Sequence, residues 1–331
     1  MSRKILIPLV FVLFFVLLLE LSLRVYYFRK SAFSYTLMQS YGLLIDSDNV
    51  QRAANTDIYY ELKPNLDTWF LGKKLVTNSQ GLADDEYSLT KPDNTFRVAV
   101  VGSSWTMATS VEYPDAYHSL IEQELAQKLA PKKVEFINFG VENYGLSEIV
   151  ANVRYKALDY DPDMIIVAMT AMTPLFLWVE EKEPFVQPDS VSAFWQSYLY
   201  SAVMNALERP SYYRTVRPQV DALRGGYSRQ IRRALDELKE LTSGQDVEVV
   251  ILMLTHKGFN SNDVGYVDGF ADQRGFRFVH AHVEDIAAEM GMENERLVAK
   301  LYQNHPNETG HWLIAQKLLK ELWNTGALQE D

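Results

Sequence analysis

The chain has 331 residues, 47% of them hydrophobic and 23% charged, the make-up of a globular protein rather than a disordered one. A net charge of −11 repels phosphate backbones and excludes nucleic acid as a natural partner. With no cysteine there is no disulfide framework, thiolate nucleophile or cysteine-based zinc site, although an oxidising compartment stays open. At the N-terminus Arg3 and Lys4 precede an apolar run from Ile5 to Leu19, which resumes after Glu20 and reaches Phe28. About 20 apolar residues cross a bilayer, so this stretch spans one only if Glu20 and Arg24 sit near an interface. A cleavable signal peptide is the rival, but Ser22-Leu23-Arg24 and the aromatic residues after it make a poor cleavage site. Residues 1–30 are therefore expected to be a retained membrane anchor. Basic residues flank both ends, so charge alone does not orient it.

Residues 31–95 read as an approach region packing on the domain, with short strand-like runs punctuated by Pro64, Gly72, Gly81 and Pro92. The pattern changes at Phe96. Arg97–Val101 is a β-branched run that ends in Gly102, the signature of a buried strand. Strands are expected at Val134–Phe139, Met164–Met169, Val247–Leu254 and Phe276–Val279. Helices are expected from Pro114 to Leu129, Ser147 to Leu158, Tyr227 to Leu241 and Thr309 to Trp323, with Asn307 capping the last. Strands alternating with helices imply a three-layer α/β/α sandwich over residues 96–325, with a parallel sheet of about five strands. Ligands of such sheets bind at the carboxyl ends of the strands, so the residues after Val101, Phe139 and Met169 matter most. Residues 174–216 interrupt the rhythm with four prolines and many aromatics. They are either a satellite hydrophobic cluster or a cap over the strand ends.

Gly102-Ser103-Ser104-Trp105-Thr106 follows the first core strand. A serine there projects toward the cleft beside the amides of a starting helix, although a serine after a strand also serves as an ordinary turn or cap. Far along the chain, His305 stands just before the last helix, which places it at the same edge of the sheet. An imidazole is the usual base that makes a serine nucleophilic.

Together these segments resemble the SGNH, or GDSL, hydrolase family, whose fold is a flavodoxin-like sandwich. Its first block, Gly-Asp-Ser after a strand, reads Gly102-Ser103-Ser104 here. Its last block reads His305-Pro306-Asn307, then Gly310-His311 and an apolar helix. Asn78-Ser79-Gln80-Gly81, Lys91-Pro92, Ile137-Asn138-Phe139-Gly140-Val141, Tyr144-Gly145 and Asp161-Pro162-Asp163 also fit, so the resemblance covers residues 60–325. It implies a bacterial serine esterase or acyltransferase held by its anchor in the inner membrane, with the domain periplasmic or extracellular, acting on O-acyl groups of envelope saccharides. Ser104 takes the nucleophile position and His305 that of general base and acid, and the main-chain amides of Ser104 and Asn143 are the oxyanion donors.

The sequence departs from the family in four places. Ser103 stands for the family's Asp, Asn143 for an oxyanion glycine and Met172 near the third-block asparagine, while Tyr302, Gln303 and Asn304 leave no acid before His305. The Asn143 side-chain amide could replace the missing asparagine, and Gln303 or a backbone carbonyl could orient His305. Stripped of these supports, the same fold would instead be a binding module in a cell-envelope polysaccharide assembly or export complex. Elsewhere His280 and His282 share a strand face but lack an evident third metal ligand. Glu180–Glu183 reads as a solvated loop, Gly225-Gly226 lacks the context of a phosphate loop, and His311 reads as packing or capping. No cofactor motif is present.

Overall fold

The computed structural model describes residues 3–41, 44, 47–170, 173, 197–200, 203, 227–257, 264–299 and 305–324. The first helix, α1 (Arg3–Phe28), contains the stretch Leu6–Tyr26, which has a mean hydropathy of 2.8 and is long and apolar enough to cross a membrane. A 3-10 turn, Arg29–Phe33, and the short α2 (Tyr35–Gln39) lead away from it. Two antiparallel hairpins follow, β1 (Val50–Arg52) with β2 (Tyr60–Leu62), and β3 (Asp67–Phe70) with β4 (Lys73–Val76).

The core begins at β5 (Thr95–Val101) and continues through α3 (Ser104–Met107), α4 (Tyr117–Lys128), β6 (Lys133–Asn138), α5 (Leu146–Tyr155) and β7 (Met164–Thr170). After α6 (Tyr227–Thr242) come β8 (Glu248–Thr255), α7 (Val264–Asp272), β9 (Arg277–His282), α8 (Val283–Glu289) and α9 (Glu308–Asn324). The sheet is fully parallel, in the order β6-β5-β7-β8-β9. Every residue of β7 is buried, as its unbroken apolar sequence requires of a strand covered on both faces.

The period of two along the strands sorts side chains into two layers. Ala99, Val101, Ile165 and Ile251 face one side, where they meet α5, α6, α7 and the hairpins. Val98, Val100, Ile166 and Leu252 face the other, against α4, α8 and α9. The fold is therefore a three-layer α/β/α sandwich with a five-stranded parallel sheet. Pro114 opens a 3-10 turn, Tyr113–Asp115, rather than the helix expected there; Ala116 is extended (ψ 142°), and α4 starts only at Tyr117.

The outer edge of β6, which pairs with no strand among the described residues, is closed by side chains. The N–H of Phe136 donates to Glu122 Oε2 and the N–H of Asn138 to Asp84 Oδ2, each at 2.6 Å. Burial pushes both carboxyls up to about 7.

Candidate active site

Three strand ends and the loop before α9 build the site. After β5, Ser104 opens α3, so its main-chain N–H belongs to the first turn, which has no partner within the helix. Gly102 lets this turn sit tightly: a Cβ there would collide with the Thr106 side chain. Trp105 and Thr106 are buried beneath it. The Thr106 hydroxyl lies 3.1 Å from that of Tyr117, and His118 Nε2–H donates to the Thr106 carbonyl at 3.2 Å.

After β6, the chain turns through Gly140, Val141 and Glu142 to Asn143. A Cβ on Gly140 would strike the Met107 and Thr106 backbone, so glycine is what lets this turn lie against α3. The Val141 N–H donates to the Gly102 carbonyl at 3.2 Å, and Glu142 N–H contacts Met107 Sδ at 3.3 Å. Asn143 has φ +61°, the left-handed region that glycine enters freely and asparagine tolerates. Glu142 is buried and accepts from the Leu44 N–H at 2.9 Å, tying the turn to the chain beyond α2. Burial lifts its carboxyl to about 7.

His305 arrives from the opposite side of the sheet. Pro306 forms an antiparallel bridge with Val298, and the His305 carbonyl accepts from the Ala299 N–H at 2.9 Å. Ser110 Oγ donates to the Pro306 carbonyl at 2.5 Å, locking this segment to the loop after α3. Asn307 Oδ1 accepts from the Gly310 N–H at 2.9 Å, so it caps α9 as expected. The outcome is one short contact: His305 Nε2 lies 2.7 Å from Ser104 Oγ, across 201 positions of sequence. The two half-buried residues are thus brought within hydrogen-bond reach. Burial, with like charge from His256 second, holds the His305 ring down to about 4. The imidazole is neutral at pH 7 and able to accept a proton.

His256 is the residue that sequence reasoning missed. It follows β8 directly, is buried, and stacks on Trp105 with centroids 5.9 Å apart and planes at 25°. Its position just past a strand's carboxyl end was the available signal. His311 is packed, as expected: it accepts from the Tyr117 N–H at 3.3 Å and stacks on that ring, 6.0 Å between centroids. His280 and His282 do share a face, 6.1 Å apart, with His280 bonded to Thr255 and His282 capping α8. Among the described residues no three His, Asp or Glu gather to hold a metal. Met172, Tyr302–Asn304, Glu180–Glu183, Gly225-Gly226 and nearly all of 174–216 lie outside the described residues. A cavity of about 330 Å³ adjoins α3, between Phe70 and Leu75 of the hairpin and Met107, Val111 and Tyr113.

No family profile and no curated protein matches the chain. Solved structures do. A two-domain esterase active on acetylated mannans is similar over 72% of this chain, at 16% identity and TM-score 0.45, and the chain spans 50% of its length. A psychrotrophic esterase from Pseudoalteromonas, inhibited by monoethylphosphonate, is similar over 70% of this chain and 98% of its own (11%, TM-score 0.44). An acetyl-xylooligosaccharide esterase variant from Geobacillus is similar over 71% of this chain and 95% of its own (15%, TM-score 0.42). These are likenesses of overall shape at TM-scores below 0.5, and they assign no activity to this chain.

Proposed function

We propose that this protein is a membrane-anchored SGNH-type hydrolase or transferase of O-acyl esters, with Ser104 as nucleophile and His305 as general base and acid. The observation that carries this reading is the 2.7 Å approach of His305 Nε2 to Ser104 Oγ. Ser104 Oγ attacks the ester carbonyl while His305 Nε2 takes its proton. The carbonyl electrons move onto oxygen, where the main-chain N–H groups of Ser104 and Asn143 donate to the oxyanion. Collapse expels the alcohol, which receives the proton from His305, and leaves an acyl-serine. Water or a sugar hydroxyl then repeats the cycle in reverse order of roles and frees Ser104. An acetylated or otherwise acylated envelope saccharide is the substrate in this reading, and α1 is retained as a single-pass anchor in a bacterial inner membrane with the domain outside the cytoplasm.

A fluorophosphonate probe tests it. The full-length protein is expected to label, and Ser104→Ala to label not at all. A folded wild-type chain that stays unlabelled would sink the esterase reading and favour a binding module in an envelope polysaccharide complex. The absence of an acid at Tyr302, Gln303 and Asn304 supports that second reading.

A further inference from the structure

Two charged residues interrupt the apolar face of α1. Leu19 and Leu21 are 48% and 46% exposed, but the Glu20 side chain is only 17% exposed. What covers Glu20 is a distant piece of chain. Its carboxylate accepts from the Tyr198 N–H at 3.1 Å, the Leu199 N–H at 2.9 Å and Ser197 Oγ at 3.1 Å, and it pairs with Arg24 at 2.9 Å. The Arg24 guanidinium lies over the Tyr198 ring, and Phe28 packs edge-on against both Tyr198 and Tyr41. Glu20 sits six residues before the end of the apolar stretch, or about 9 Å along the helix axis at 1.5 Å per residue. With α1 spanning a bilayer, Ser197–Leu199 are held beside the interfacial end of its apolar stretch, where unpaired amides would be costly. Glu20 satisfies two of them.

Tyr200 and Val203 follow, 66% and 49% exposed. Around the same end of α1, Tyr26, Phe33 and Tyr35 are also exposed, at 74%, 73% and 47%. Aromatic side chains ringing the end of an apolar helix are the composition of a membrane–water interface. We propose that Ser197–Tyr200 and Val203 form a second membrane contact, lying in the interfacial layer of a phospholipid bilayer and clamped to the anchor by Glu20. This rests on the reading of α1 as a retained span. Tyr200 and Val203 follow directly on the residues that Glu20 holds against α1, and lipid is the partner that surrounds a spanning α1. The charge of Glu20 is then part of the design, since a carboxylate near the membrane interface persists where it has partners.

The absence of cysteine makes the test direct, because single cysteines carry nitroxide labels cleanly. The full chain is reconstituted in phosphatidylcholine–phosphatidylglycerol vesicles with labels at Tyr200→Cys, Val203→Cys, Leu13→Cys in α1 and Glu240→Cys at an exposed position of α6. Accessibility to oxygen is compared with that to a water-soluble nickel complex. Tyr200 and Val203 are expected to show an oxygen-to-nickel ratio several-fold above that of Glu240 and approaching that of Leu13. Adding Glu20→Ala is expected to bring the Tyr200 ratio down while that of Leu13 holds. A lipid-like Leu13 with water-like Tyr200 and Val203 overturns this inference alone, as does shielding of both from oxygen and nickel alike, which would mean that protein covers them. A Tyr200 ratio indifferent to Glu20→Ala overturns the clamp. A water-like Leu13 removes the anchor reading and this inference with it.

Discussion

His305 has an imidazole of unusually low proton affinity. Held near 4 by burial and by His256, it is neutral, as the proposed general base must be, through the whole physiological range. The sign follows: activity needs the unprotonated ring, so kcat/KM falls only as pH drops through about 4, not through the 6.5 of a free histidine. A pH–rate profile on a soluble aryl ester checks this, and an acid limb near 6.5 would contradict it. In the proposed reaction, low basicity would also limit how strongly His305 drives Ser104 and so raise the demand on the oxyanion donors. Asn143→Gly keeps the main-chain N–H and the left-handed turn but removes the side-chain amide. If that amide has taken over from the missing third-block asparagine, kcat falls about 10²–10³-fold with the fold intact; an unchanged kcat removes that role from Asn143.

At the scale of elements, glycines rather than charged groups bring the site together. Gly140 has no room for a methyl group against the Met107 and Thr106 backbone. Gly140→Ala is expected to cost about 1–3 kcal/mol and to displace the Asn143 turn, read as a lowered denaturation midpoint together with lost turnover. The β-branched runs made the five core strands legible in the sequence, and the blocks around Ser104 and His305 made their meeting legible too. The hairpins, α7 and α8 were not. Each is short, and α7 (Val264–Asp272) carries Gly265 and Gly269 inside a nine-residue helix, so tertiary packing of Val267 and Phe270 rather than propensity holds it. His256 escaped notice because a lone histidine after a strand has no motif; only its stacking on Trp105 ties it to the site.

Across the whole molecule, the approach region and the core hold each other through buried carboxylates. Glu148 accepts from the Tyr59 N–H at 3.1 Å and Glu142 from the Leu44 N–H, while the Tyr144 hydroxyl donates to the Tyr60 carbonyl at 2.5 Å. The chain beyond α2, the β1–β2 hairpin and the turn that carries Asn143 are thus joined by polar contacts inside one apolar layer. Burial raises Glu142 and Glu148 to about 7, so both carboxyls are part-protonated at neutral pH and keep their acceptor oxygens in either state.

The two carboxylates bonded to the outer amides of β6 also govern how this protein behaves in company. An open strand edge is a template on which another chain can add a strand, and crowding at a membrane surface multiplies such encounters. Glu122 and Asp84 occupy two of the outward-facing amides of that edge, so a visiting strand finds its register already taken. Replacing both with alanine is expected to yield concentration-dependent self-association in light scattering, whereas Asp84→Asn with Glu122→Gln, which still offers acceptors, is expected to stay dispersed.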